Sequence, residues 1–131
     1  MKIVVATDSY KGTISASDAA AIIAEAFAEK LPLAKVIKMP IADGGEGSTA
    51  CFVDAMGGNF IVTNVKNCYF EDTNVRFGLI ERGETAVIEV AETAGLHFAE
   101  GRKNPMLTTT YGAGQMIAAA AGLGVKRIWL C

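Results

Sequence analysis

The chain has 131 residues, 51% hydrophobic and 20% charged, a balance that suits one packed domain and excludes a disordered polypeptide. Its net charge of −2, with no basic patch interleaved with aromatics, offers no electrostatic footprint for nucleic acid or an anionic membrane. Cys51, Cys68 and Cys131 are odd in number and form no C-x-x-C pair, which argues against a disulfide framework or a zinc site and for reduced thiols in a cytoplasmic protein.

Residues 2–7, KIVVAT, form an apolar run without alternation, as expected of a strand buried on both faces of a parallel sheet. SASDAAAIIAEAFAEKL reads as a helix with Ile22, Ile23, Phe27 and Leu31 as its buried stripe, a capping box at Ser15 and Asp18, and a stop at Pro32. AKVIKM is a second strand, and strand, helix and strand in this order make a right-handed βαβ unit. After IADGGEGS, the segment STACFVDAMGG predicts a second helix that closes at Gly57-Gly58. The period then turns to alternation. NFIVTNV, NVRFGLI and TAVIEVA predict three strands, the last two joined as an antiparallel hairpin through Glu81-Arg82-Gly83-Glu84. An irregular stretch leads to an alanine-rich helix, GQMIAAAAGLG, and a final strand, KRIWLC.

Three polar segments stand where strands meet helices. TDSYKGT, residues 7–13, offers backbone amides with Ser9, Lys11 and Thr13 as an anion site; the plainer reading is an exposed connection. It lacks the Walker spacing. IADGGEGS, residues 41–48, surrounds Asp43 and Glu46 with Gly44, Gly45 and Gly47. Three glycines mean either unusual dihedrals or a backbone that something approaches closely. If the two strands are parallel, both loops leave one sheet edge, and Asp8 and Asp43 become candidates for holding magnesium or accepting a substrate proton. Glu46 also fits a first-turn acid answering a helix dipole. KNPMLTTTYGAG, residues 103–114, is the third segment: Thr108, Thr109 and Thr110 either donate to an anion or cap a helix.

His97 is the single histidine, which excludes a triad, and is expected to pack in or beside a core. Glu89 follows an apolar strand, where burial is costly without partners; it either faces a site or lies on an edge strand. Trp129 is expected to pack into the sheet.

MKIVVATDSYKGTISA, PIADGGEGS, AVIEVAETAGL and NPMLTTTYGAG, in that order, resemble the bacterial glycerate kinase family, type 1, in its N-terminal portion. The family's stretches read close to APDSFKGSLSA, PMADGGEGT, AVIEMAxASGL and NPxxTTTYGTGE. The resemblance implies transfer of a phosphoryl group from ATP, with Mg2+, to a hydroxyl of glycerate, giving phosphoglycerate, with the 2-phosphate favoured. It carries Asp8, Lys11 and Asp43 over as catalytic residues, with Asp43 as the magnesium candidate. Ser9, Gly44, Gly45, Glu46, Gly47, Thr109 and Thr110 become substrate or phosphate binders.

Departures are Thr7 in place of proline, Asn67–Phe70 in place of a GPLG-like turn, and Gln115 in place of a glutamate. The family also continues beyond KRIWLC into a glycine-rich loop. The expected architecture is therefore α/β and incomplete: a flavodoxin-like parallel βαβ part over 1–58, a mixed or antiparallel β part of a second domain over 59–105, and a helix and strand over 106–131. Such a fragment is expected to be a poor catalyst alone and to self-associate through an exposed sheet edge. Competing readings are a stress-protein-like nucleotide-binding module without transfer, and a flavodoxin-like FMN carrier.

Overall fold

The computed structural model describes residues 1–131 and arranges them as two β-sheets. Strands β1 (Lys2–Val5) and β2 (Lys35–Lys38) form a parallel pair, joined through helix α1 (Ala16–Lys30). The start of α1 follows from its sequence. Ser15 Oγ accepts from the Asp18 amide at 3.1 Å and donates to the Asp18 carboxylate at 2.6 Å, satisfying one amide that the helix leaves open.

Two expectations for this half fail for a simple reason of geometry. The buried face of α1 is Ala16, Ala19 and Ala20, continued by half-buried Ile23 and Phe27, whereas Ile22 is 58% exposed and Leu31 is 39% exposed. Successive helix positions are about 100° apart, so Ile22 lies off the face that Ile23 and Phe27 share. β1 is likewise buried on one face only. Val5 is buried and Val4 is 52% exposed, because a helix covers one side of the pair.

The second sheet is mixed, in the order β3 (Gly58–Lys66), β4 (Asp72–Ile80), β5 (Thr85–Ile88) and β6 (Arg127–Leu130). β3, β4 and β5 pair antiparallel in turn, and β6 adds parallel to β5. Helix α2 (Ser48–Met56) packs on this sheet, a one-turn α3 (Ala91–Ala94) follows β5, and α4 (Tyr111–Gly122) packs against β3 and β5.

Strand alternation sorts the core into two layers. Val75, Phe77, Ala86 and Ile88 meet Met116 and Ala120 of α4. Ile80 and Val87 meet Val53 of α2, while Trp129 lies edge-on to Phe52 at 5.2 Å between ring centres. All four residues of β5 are buried, so burial on two faces belongs here rather than to β1.

The departures at 67–70 and 115 have structural roles. Gln115 Oε1 accepts from the Lys66 amide at 2.8 Å, a bond that a carboxylate would also make. Gly112 lets α4 approach so closely that an added Cβ would lie 1.7 Å from the Lys66 carbonyl oxygen. Asn67 Oδ1 accepts from the Tyr69 and Glu71 amides and closes the turn. In that turn Phe70 takes φ 63°, a left-handed conformation that costs a bulky residue about 1 kcal/mol, and its ring lies 5.6 Å from that of Tyr111. No helix is long and apolar enough to cross a membrane.

Candidate functional site

Because β1 and β2 are parallel, the loops that follow them leave the same edge. The pairing runs on past the strands: the Met39 amide donates to the Val5 carbonyl at 2.8 Å, and the Ile41 amide to the Thr7 carbonyl at 3.0 Å. Thr7, standing where a proline was expected, donates its hydroxyl to the Ala16 carbonyl. The Asp8 carboxylate accepts from the Ser9 amide at 2.6 Å, and Tyr10 and Ile14 exchange backbone bonds that close the loop. Lys11 stands exposed near its tip, with Nζ 3.5 Å from Asp43 Oδ2.

Asp43 Oδ1 accepts from the Gly45 amide at 3.2 Å. That amide first and the Lys11 ammonium second hold the Asp43 carboxyl below its ordinary range. Gly44 and Gly47 take φ of 99° and 89°, so the glycines supply dihedrals that other residues adopt only under strain. At Gly47 the loop becomes α2.

Glu89 occupies the start of that helix. Both its oxygens accept from the Gly47 amide at 3.1 Å, and Oε2 also accepts from the Thr49 amide at 3.3 Å. The side chain is buried, at 4% exposure. Burial pushes its carboxyl up; the two amides pull it down, and Glu92 and Glu46 add to the upward push. The edge-strand reading of Glu89 is therefore wrong, since β5 lies between β4 and β6. Its position follows from alternation: Thr85, Val87 and Glu89 share a face, and Val87 already lies under α2.

An open cleft of about 510 Å³ is walled by Asp8, Ser9, Lys11, Glu46, Gly47 and Glu89. The buried hydroxyls of Ser9 and Thr49, both on its wall, have no protein partner. A neighbouring hollow of about 960 Å³ shares Lys11, Glu46, Glu89 and Glu92 with it. Asp43 is tied to this cleft through Lys11, while Gly44 and Gly45 shape the loop beside it. Thr109 and Thr110 line a different hollow of about 680 Å³. There Thr109 Oγ1 accepts from the Tyr111 amide at 3.1 Å, a capping bond, and Thr110 precedes α4 without a side-chain cap.

His97 is exposed, with its ring 4.1 Å from that of Phe98, and faces the larger hollow rather than packing into a core. Its helical turn starts after Gly95, at the surface. Arg76 on the cleft wall was not singled out from sequence. It lies 4.3 Å over the Phe60 ring, with Nε 3.9 Å from Glu92 Oε1. The signal was available, because alternation puts exposed Arg76 on the face of β4 opposite buried Val75 and Phe77, with Gly78 and Ile80 on the α2 side, where an arginine pairs with an acid or an aromatic face.

In α/β folds the loops at the carboxyl ends of parallel strands are where small ligands commonly bind, and this chain has a cleft walled by such loops. Residues 3–131 match the model of the glycerate kinase family, and the chain belongs to that family. It is 42% identical over 129 residues to a glycerate kinase of Bacillus subtilis, covering 98% of this chain and 34% of that protein. It is 38% identical over 129 residues to the glycerate 2-kinase of Escherichia coli, covering 98% of this chain and 34% of that one. A crystal structure from Salmonella typhimurium LT2, assigned as glycerate kinase 2, superimposes with a TM-score of 0.81 at 37% identity, over 99% of this chain and 35% of the other. The chain thus spans about a third of the length of the curated relatives it matches.

Proposed function

We propose that this chain serves ATP-dependent phosphorylation of glycerate to phosphoglycerate, with the 2-phosphate as product. The observation that carries the reading is the Lys11–Asp43 pair, which brings a cation and an ionised carboxylate together where two strand-end loops meet a cleft. Phosphoryl transfer asks a protein mainly for positioning and charge stabilisation. A glycerate hydroxyl oxygen attacks the γ-phosphorus, the bond from phosphorus to the bridging oxygen breaks, and ADP leaves. The hydroxyl proton passes to Asp8, which lies at the end of β1, or to Asp43 where that carboxylate holds no metal. Lys11 balances the negative charge on the transferred group or on the glycerate carboxylate.

No three metal-ligating side chains converge in the structure. A site with a single protein carboxylate suits magnesium, which keeps most of its waters and binds substrate phosphates, and Asp43 is the residue that would hold it. When bound, magnesium would supply neutralisation of the phosphate charge. Ser9, with its unpartnered hydroxyl, and Glu46 would contact the substrate from the wall, while Gly44, Gly45 and Gly47 shape the loop. Thr109 and Thr110 would take an anionic group in their own hollow.

The proposal keeps a division at 1–58, 59–105 and 106–131, with α2 reaching across onto the second part. It also keeps cytoplasmic residence, suited to three free thiols, and self-association through the edges of the sheets. The test reads binding and turnover separately. Glycerate, then MgATP, are titrated into the labelled chain while ADP release is assayed alongside. Amide shifts clustered at 8–13 and 43–48 are expected; a dispersed spectrum with no response to either ligand overturns the proposal.

A further inference from the structure

The start of a helix draws anions, because its first amides are unpaired and the dipole is positive there. α2 starts on the wall of the cleft, where a phosphate or carboxylate of a substrate would be drawn. That place is filled by the chain itself. The Glu89 carboxylate takes the Gly47 and Thr49 amides, and Asp43 takes the Gly45 amide. Three alternate amides of the loop and first turn are therefore spent on internal carboxylates.

We propose that Glu89 is a positioning residue that acts as the built-in anion of α2: it closes the helix start to substrate anions, ties the glycine loop to β5, and leaves Lys11 as the cation a substrate anion meets. Only the last clause rests on the kinase reading.

Three observations support this. Glu89 is buried but stands on the cleft wall beside Gly47 and Thr49, and its carboxylate occupies the two amides that would otherwise be free to meet an anion there. No lysine or arginine pairs with it, since Arg76, on the same wall, faces Glu92 instead. The amides are thus its whole compensation for burial, a cost that an uncompensated carboxylate would not sustain. Finally, the bond joins the loop after β2 to the end of β5, two elements from different sheets, 42 positions apart.

The test titrates inorganic phosphate into the isotope-labelled chain, its Glu89→Ala variant and its Glu89→Gln variant, following backbone amides. In the wild-type chain phosphate is expected to move amides near Lys11 and to leave Gly47 and Thr49 in place. In Glu89→Ala the Gly47 and Thr49 amides are expected to move saturably with phosphate, and acetate is expected to return them toward their wild-type positions. Glycerate affinity in that variant is expected to fall about tenfold to a hundredfold, with partial rescue by acetate. Glu89→Gln keeps an acceptor oxygen without the charge, so its Gly47 and Thr49 amide protons are expected to shift upfield with a smaller loss of affinity. Phosphate moving Gly47 and Thr49 in the wild-type chain overturns the inference. So do a folded Glu89→Ala whose two amides ignore phosphate, or a Glu89→Gln whose two amides coincide with the wild type. Should glycerate and MgATP leave every amide unmoved while phosphate behaves as described, the kinase reading falls and the role of Glu89 stands.

Discussion

Glu89 and Gly47 are joined by two hydrogen bonds of 3.1 Å, one to each carboxylate oxygen, across 42 positions of chain. Since burial raises the carboxyl, against the pull of the two amides, the folded state holds a proton on Glu89 to higher pH than the unfolded state does. Its contribution to stability is then full below the ordinary value of 4.5 and is lost as pH rises through the raised folded value. Glu46 and Glu92, which face it, push in the same direction. In denaturant titrations from pH 4 to 8, the stability of the wild-type chain relative to Glu89→Gln is expected to fall as pH rises. A difference that stays flat rejects this.

Glu71 behaves in the opposite sense. Its two oxygens receive both prongs of the Arg102 guanidinium at 2.7 and 2.8 Å, and that pair, with the Asn67 amide group, lowers its carboxyl to about 2. The pair's contribution is present above 4.5 and lost as pH falls toward 2. Carbon-13 titration of the Glu71 carboxyl should give a midpoint near that value, and Arg102→Lys, lacking the fork, should move it upward.

Two glycines in α4 should respond oppositely to alanine. At Gly112 the new Cβ would meet the Lys66 carbonyl oxygen, a backbone atom, at 1.7 Å, so Gly112→Ala should cost about 3 kcal/mol or more. At Gly114 nothing lies within 4 Å, and Gly114→Ala should stabilise by about 0.5–1 kcal/mol through helix propensity. Urea unfolding of both variants decides the matter; similar midpoints would contradict the close approach.

Lys11→Met should lower phosphoryl transfer by about a hundredfold if Lys11 stabilises the transferred charge. It should also raise the Asp43 carboxyl only part of the way to its ordinary value, because the Gly45 amide is the larger cause of the lowering and remains. Acid titration of Asp43 in the variant checks the second outcome without reference to activity. A full return to the ordinary value would mean that the lysine, not the amide, holds it.

Most of the chain's elements were legible because their periods are clean. The capping box at Ser15, the parallel strand pair, the hairpin between β4 and β5 and the packing of Trp129 all follow from local signals. What was not legible needed knowledge of the layers. Ile22 and Val4 look like core residues until one sees that the two-stranded sheet is covered on one side. Glu89 looked ambiguous because its partners are amides 40 and 42 positions away, and an amide leaves no trace in residue identity. Only its parity with Val87 pointed under α2, and that helix was expected to go with the first strands. The glycine loop was recognised, but its geometry was not: Gly47 gives its amide to a side chain of the other sheet.

The packing of Phe52 on Trp129 gives the molecule an optical reporter of its own. The chain contains one tryptophan, and its indole touches the same nine-residue helix whose first turn emerges from the glycine loop. A shift of that loop that tilts α2 would change the ring contact at Phe52, midway along the helix, so the emission of a single native fluorophore would read the state of the cleft with no label attached.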